Sequence, residues 1–143
     1  MKEIDQSCKI EVVNRLKERK RGIFVEDQLT QSSMEILLKA GDAREECFRA
    51  LEFVSEGNIE SARKKLNEAK KTIVEAHRVH TACLQASMEK ETNMYSMLFA
   101  HAQDTLMTIN TEINLTARFI DVFENYNKRL EILENRDKGG NLK

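Results

Sequence analysis

Apolar and polar positions alternate along most of the chain in steps of three and four, which places apolar side chains on one face of an α-helix. The first clear series follows Ser32 or Ser33, either of which suits an N-cap. Its small and apolar members are Ile36, Ala40, Ala43, Cys47, Ala50 and Val54. Gly41 costs this helix roughly 1 kcal/mol relative to Ala, which indicates a close approach of another backbone or a mild bend.

A second series follows the turn signal Glu56-Gly57-Asn58. Gly57 suits the left-handed position after a helix, and Asn58 suits the N-cap of the next one. The series comprises Ile59, Ala62, Leu66, Ala69, Ile73, Ala76, His80 and Cys83. So short a connection predicts antiparallel neighbours. We expect the second helix to end near Ala86, before a loop over 87–93.

The third predicted helix runs from about Asn93, with Thr92 or Asn93 as its cap, to Leu133, and it has two apolar stripes. One contains Leu106, Ile109, Ile113, Ile120, Phe123 and Leu130; the other contains Leu98, Leu115, Phe119, Val122 and Tyr126. Two apolar faces need two sets of neighbours. With three main helices per chain, the second set is predicted to come from other subunits.

The absence of Pro and the small number of Gly, five in 143 residues, favour a few long helices and an all-α fold. We predict an N-terminal extension over 1–30, a three-helix domain over 31–134 and a flexible tail over 135–143. Within the extension, the spacing of Ile10, Val13 and Leu16 allows a short helix. The extension carries a basic cluster, Lys17 to Arg21. Because this cluster includes Glu18 and lies among acidic residues, a solvated helix face is favoured over a nucleic-acid or anionic-lipid contact.

Charge and cysteine content narrow the functional classes. A net charge of -1 provides no global field for nucleic acid or an anionic membrane. Cys8, Cys47 and Cys83 are isolated and have no CxxC spacing, so the sequence predicts neither a disulfide framework nor a zinc site. We therefore expect the protein to occupy a reducing compartment. No apolar run has signal-peptide length or approaches the ~20 residues of a membrane span. A cytoplasmic protein without membrane insertion is expected.

Candidate chemistry lies in 100–108, where His101, Asp104, Thr105 and Thr108 fall at i, i+3, i+4 and i+7 and form one polar stripe. His101 is either a structural histidine or a nucleophile, because an imidazole with a pKa of ~6.5 has an available nitrogen at neutral pH. Asp104 lies between apolar positions and is expected to face an interior. If copies from several subunits converge there, a hard divalent cation would relieve their repulsion.

Other candidates are weaker. His77 and His80 lack the accompanying Glu-x-x-His pairs of a di-metal bundle, so a structural role is favoured. The methionines, including Met88, Met94 and Met107, are typical of core or interface filler. The chain has no Gly-rich phosphate loop and no Gly-x-Ser-x-Gly elbow. Composition and periodicity alone therefore indicate a helical bundle with a polar stripe.

Three segments in register carry a resemblance to a known family. They are Ala40-Gly-Asp-Ala-Arg44, then Glu75-Ala-His77 followed by Thr81, and Ala100-His-Ala-Gln-Asp104 with Leu106-Met-Thr108. From about Ser33 to Leu133 the chain resembles the enzyme IIA component of the lactose/cellobiose (chitobiose) class of the bacterial phosphoenolpyruvate-dependent sugar phosphotransferase system.

The resemblance implies three-helix subunits in a homotrimer with a nine-helix core. It implies that His101 accepts a phosphoryl group from HPr and passes it to a cysteine of enzyme IIB, for uptake of a lactose- or cellobiose/chitobiose-type disaccharide. It also implies that Asp104 meets its symmetry mates around a metal ion, with Mg²⁺ expected. Gln103, Thr105 and Thr108 are candidates for supporting the phosphoryl group.

The chain departs from the family pattern at two positions. Family members commonly have a second histidine where this chain has Thr105, and a glutamine where it has His80. Residues 1–30 also lie outside the usual compact form. The alternative to a phosphohistidine carrier is a non-catalytic helical interaction or regulatory module related to it.

Overall fold

A computed structural model describes residues 6–89 and 96–140. They form three helices, α1 (Gln6–Ser55), α2 (Ile59–Glu89) and α3 (Met97–Gly140), packed against each other. The ion pairs Lys39–Glu75 and Glu46–Lys65 join α1 to α2. The pair with the higher residue number on α1 has the lower residue number on α2. The two helices are therefore antiparallel, as the short connection predicted, and the all-α prediction is confirmed.

The turn between α1 and α2 has the predicted chemistry. Gly57 has a φ of 77°, and its N–H donates to the Val54 carbonyl at 3.0 Å, while the Asn58 N–H donates to the Phe53 carbonyl at 2.8 Å. This pair of bonds is a Schellman motif, which satisfies carbonyls at the end of a helix. The Asn58 side chain then accepts from the Ser61 N–H at 3.0 Å, which confirms Asn58 as the N-cap of α2.

The predicted seams of small and apolar residues form the core. Those of α1 from Ile36 to Val54 are buried, as are those of α2 from Ala62 to His80, with Ile59 and Cys83 partly buried at its ends. On α3 the buried stripe consists of Phe99, Ala102, Leu106, Ile109, Ile113, Thr116 and Ile120. Many alanines on α1 and α2 allow these two helices to approach closely.

The predicted start of the first helix at Ser33 is wrong, because α1 begins at Gln6. Ser33 is buried within the helix, where its hydroxyl donates to the Leu29 carbonyl at 2.7 Å. A serine bonded to its own helix in this way needs no chain terminus. No proline interrupts the preceding turns. From Glu11 to Gln28 every described side chain is exposed, so this part of α1 projects from the bundle.

The other predicted helix boundaries also shift. Helix α2 continues to Glu89, and α3 begins at Met97 with Ser96 as its cap, since the Ser96 hydroxyl accepts from the Phe99 N–H at 3.4 Å. The predicted caps Thr92 and Asn93 lie outside the described residues. The tail predicted over 135–143 is helical to Gly140, because nothing before the terminal glycines breaks the helix. The division into domains stays a prediction.

Two members of the predicted inner stripe of α3 are not buried: Phe123 and Leu130 are exposed. Arg63, close to the α1–α2 turn, bonds Asp121 and Glu124. Beyond these contacts the side chains of residues 128–136 are exposed, so no helix among the described residues covers this part of α3. Gly41 differs from its prediction too, because a Cβ there would meet nothing within 4 Å among the described residues.

Candidate functional site

The polar stripe lies on the side of α3 that faces away from the core of its own subunit. His101, Asp104 and Thr108 are exposed, and Thr105 is half-buried. The buried positions Ala102 and Leu106 hold the same turns against α1 and α2. The predicted spacing of the stripe is confirmed, whereas the interior expected around Asp104 is absent from the single subunit. Any such interior must be formed by another chain.

His101 lies in the second turn of α3, near the N-terminus of the helix. Side chains on a helix tilt toward its N-terminus, so the imidazole leans toward the end where backbone N–H groups are unpaired and the helix dipole is positive. A negatively charged group on the ring would be favoured there by a modest amount. The exposed ring is also accessible to a second protein.

A ring contact fixes the first turn of α3. The buried His80 of α2 stacks on Phe99 of α3, with ring centroids 5.4 Å apart and an interplanar angle of 12°. Because Phe99 is two residues before His101, this contact positions the segment that presents the imidazole. The role of Phe99 was not predicted, although its spacing from Ala102 and Leu106 places it on the buried stripe.

The three supporting candidates occupy different surroundings. Thr105 is on the same side of α3 as His101, one turn later. The Thr108 hydroxyl donates to the backbone carbonyl of Asp104 at 2.8 Å, so its hydrogen is already used. Gln103 is exposed and lies about 200° around the helix axis from His101, on a different side. Within one subunit, Thr105 is therefore the best placed of the three.

The remaining reactive side chains form no second centre in the described part of the chain. No cluster of three or more His, Cys, Asp or Glu side chains that could hold a metal ion occurs in residues 6–89 and 96–140. His77 is half-buried, three residues before His80. Burial raises the pKa of the Cys47 thiol, which keeps it protonated and unreactive. Within these ranges no helix is long and apolar enough to cross a membrane.

The outer face of α3, defined by Leu115, Phe119, Val122 and Tyr126, continues from the polar stripe toward the C-terminus. Its side chains are about half exposed. Beside it, Phe48 and Leu51 of α1 line a groove of about 290 Å³ with Leu115 and Phe119. The ion pair between Arg44 and Glu112, at 2.8 Å, lies on the same groove.

Comparison with known proteins identifies the family. The model for the "PTS system, Lactose/Cellobiose specific IIA subunit" family matches residues 31–124. The chain belongs to this family. It is an enzyme IIA component of the phosphotransferase system (PTS) for sugar transport, and the matched range contains His101 and the whole polar stripe.

Individual relatives agree with this assignment. The enzyme IIA component is 31% identical over 98 residues to the lichenan-specific phosphotransferase enzyme IIA component of Bacillus subtilis, covering 68% of this chain and 89% of the relative. It is 31% identical over 103 residues to the galactose-specific EIIA component of Lactococcus lactis, covering 72% and 85%. The crystal structure of the cellobiose-specific enzyme IIA from Bacillus anthracis matches with 34% identity and a TM-score of 0.65, covering 68% and 90%.

Proposed function

We propose that this enzyme IIA component is a phosphohistidine carrier that accepts a phosphoryl group from HPr on His101 and passes it to a cysteine of enzyme IIB. The observation that carries the proposal is the exposed imidazole at the start of α3, inside the segment that matches the family. A nucleophile that must meet two different proteins in turn has to be accessible. A histidine serving only the core would be buried, as His80 is.

The chemistry needs little from the protein beyond position. A lone pair on an imidazole nitrogen of His101 attacks phosphorus, a new P–N bond forms, and the bond from phosphorus to the donor breaks. The thiolate of enzyme IIB then attacks the same phosphorus, forming a P–S bond as the P–N bond breaks. The positive end of α3 favours the charge of the phosphoryl group, and Thr105 is placed to donate a hydrogen bond to it.

We further propose a homotrimer with a nine-helix core. The support is the outer face of α3, whose half-exposed apolar side chains cover about three turns and adjoin the apolar groove beside Phe48. So large an apolar surface is typical of a subunit interface. In such an assembly Gln103 could reach a phosphoryl group only on a neighbouring subunit, because it lies on a different side of α3 from the His101 of its own chain.

Asp104 fits a metal site only in that assembly. One exposed carboxylate supplies too few oxygen ligands for Mg²⁺, but three copies of Asp104 around a three-fold axis would bring together charges that a divalent cation neutralises. The position of Asp104 at the N-terminal end of the outer face supports this arrangement. The cation would hold the subunits together, and the transfer steps at His101 do not pass through it.

The transported sugar is proposed as a lactose- or cellobiose/chitobiose-type disaccharide. Relatives at 31% identity carry different sugars in their names, lichenan and galactose, so sequence similarity does not select among them. We also propose a cytoplasmic location, where HPr and enzyme IIB would be available, and a functional unit over 31–134 flanked by the extension 1–30 and the tail 135–143.

Transfer to His101 can be tested by incubating the protein with phosphoenolpyruvate, enzyme I and HPr. Wild type should gain acid-labile phosphate, and His101→Gln should gain none. His77→Gln is the matched control, because it removes a half-buried histidine outside the polar stripe and should be labelled like wild type. If HPr is labelled while wild type is not, the carrier role is refuted and the non-catalytic interaction module is favoured.

A further inference from the structure

The projecting part of α1, residues 11–28, is called the arm. It precedes Leu29, the first buried side chain among those described in the helix, and it lies outside the range that matches the family. Three of its apolar side chains are exposed: Val13 by 47%, Leu16 by 53% and Ile23 by 54%. Their spacing of three and seven residues puts them in one stripe along the helix.

Positive charge surrounds this stripe. Residues 15–21 contain five basic side chains and one acidic side chain, Glu18. On a regular helix Lys17, Arg19 and Lys20 all lie within about 100° of Leu16, on both sides of it. The described residues provide no ion-pair partner for these three. The apolar stripe therefore has Arg19 along one edge and Lys17 along the other, with Lys20 within it.

Two of the four acidic residues of the arm lie away from the apolar stripe. Glu11 and Glu18 are on the far side of the helix, about 140° and 160° from Leu16. Glu11 is paired with Arg15 at 3.0 Å, in a fully solvated contact. Glu26 and Asp27 follow at the base of the arm, on the same side of the helix as Leu16. Their negative charge ends the cationic, apolar surface, which extends from Val13 to Ile23.

We propose that this surface binds an anionic lipid bilayer, with the arm lying in the plane of the headgroups. Exposed apolar side chains enter the interface while basic side chains meet anionic headgroups, as in other amphipathic helices that lie on membranes. Lys20 is informative because it lies between Leu16 and Ile23, within the apolar stripe. A lysine can extend its ammonium group to the headgroups and leave its methylene groups in the apolar layer.

Other occupants fit the arm less well. Parallel copies of the arm would bring like charges together, with Lys20 in the contact seam, so self-association is disfavoured. Nucleic acid would match the charge but would leave the apolar stripe exposed. A protein groove would have to bury Lys20. The arm leaves the bundle at the end where α3 begins, so bound lipid would hold the end that carries His101 near a membrane surface.

Co-sedimentation of the full chain with vesicles tests the proposal. Vesicles of equal parts phosphatidylglycerol and phosphatidylcholine should bind wild type, pure phosphatidylcholine should not, and high salt should release the protein. Lys17→Gln/Arg19→Gln/Lys20→Gln should weaken partitioning by roughly tenfold or more. The matched control, Lys70→Gln/Lys71→Gln/Arg78→Gln, removes the same charge from the exposed side of α2 and should bind like wild type. Circular dichroism should show equal helix content in both.

A second variant tests the apolar stripe. Leu16→Gln/Ile23→Gln keeps every charge and should also weaken binding to the mixed vesicles. The proposal is overturned if wild type does not bind these vesicles, if both triple variants lose binding equally, or if the stripe variant binds like wild type. It is also overturned if duplex DNA at the same phosphate concentration displaces the protein from the vesicles. None of these measurements requires phosphorylation, so they are independent of the carrier proposal.

Discussion

At the scale of single residues, His101 and His80 show how position determines what an imidazole can do. His80 is buried against Phe99, where it fixes the start of α3. His101 is exposed beside the buried Ala102, where it adds nothing to the packing of its own subunit. An exposed ring on a well-held helix is suited to repeated transfer between partners, because its position is defined and its approach is open.

Two glycines allow a matched test of the backbone. Gly57→Ala should lower the free energy of unfolding by about 1 to 2 kcal/mol, because its φ of 77° is unfavourable for a side chain. Gly41→Ala should raise it by up to about 1 kcal/mol, because Gly41 is inside α1 and a Cβ there would meet no atom of the described residues within 4 Å. Urea denaturation measures both. If both substitutions raise the free energy of unfolding, or both lower it, the explanation given for one of the two glycines is wrong.

At the scale of elements, α3 has one face for its own subunit and one that we assign to other subunits. Leu106→Ala should lower the free energy of unfolding by about 2 to 5 kcal/mol, because Leu106 is 0% exposed. Leu115 is 54% exposed, so Leu115→Ala should act mainly through assembly. Thermal unfolding at several protein concentrations separates the two, since an assembly effect disappears on dilution. If Leu115→Ala lowers the free energy of unfolding of the dissociated chain as much as Leu106→Ala does, the assignment of the two faces is refuted.

The contact between α2 and α3 near the turn predicts a dependence on acid. Hydrogen bonds from Arg63 and then Lys128 lower the pKa of Glu124 to about 2. Because this pKa is below the unfolded value of 4.5, the contribution of Glu124 is present above pH 4.5 and is lost as the pH falls toward 2. The stability difference between wild type and Glu124→Gln should therefore narrow over that interval.

Urea midpoints at pH 7, 4.5 and 3 measure this difference. Glu131→Gln is the control, because Glu131 is an exposed carboxylate of α3 that makes no ion pair with the described residues. The difference in stability between Glu131→Gln and wild type should change less over the same pH interval. If the difference in stability between wild type and Glu124→Gln stays constant from pH 7 to pH 3, the role given to the Arg63 contact is contradicted.

The helices and their seams were predictable because burial on one side of a helix leaves a period in the sequence, as from Ile36 to Val54. The helix ends were less predictable. Ser33 suits a cap in isolation, but its hydroxyl can equally bond the carbonyl four residues earlier, and neighbouring turns decide between the two. For the same reason, the hydrogen bond from the Thr108 hydroxyl to the Asp104 carbonyl could not be predicted. The sequence predicts the spacing of the polar stripe, but it does not show which of its hydroxyls donates to the backbone.

At the scale of the whole molecule, the single chain leaves its proposed metal ligand and its outer apolar face without partners among the described residues. A homotrimer would explain both. Sedimentation equilibrium should give three times the mass of the chain, and a chelator should weaken the assembly by leaving three copies of Asp104 to repel one another. Asp104→Asn should bind less metal and should assemble equally with and without the chelator. A monomer whose metal content is unchanged by the substitution would refute this model.

The central claim is that His101 carries the phosphoryl group, and locating the phosphate tests it most directly. Protein phosphorylated through enzyme I and HPr can be digested at neutral or alkaline pH, which preserves phosphohistidine, and its peptides sequenced by mass spectrometry with a fragmentation method that keeps the P–N bond. The account predicts one phosphoryl group, on His101, that is lost when enzyme IIB is added. A phosphoryl group on His77 or His80, or one on His101 that enzyme IIB does not remove, would contradict it.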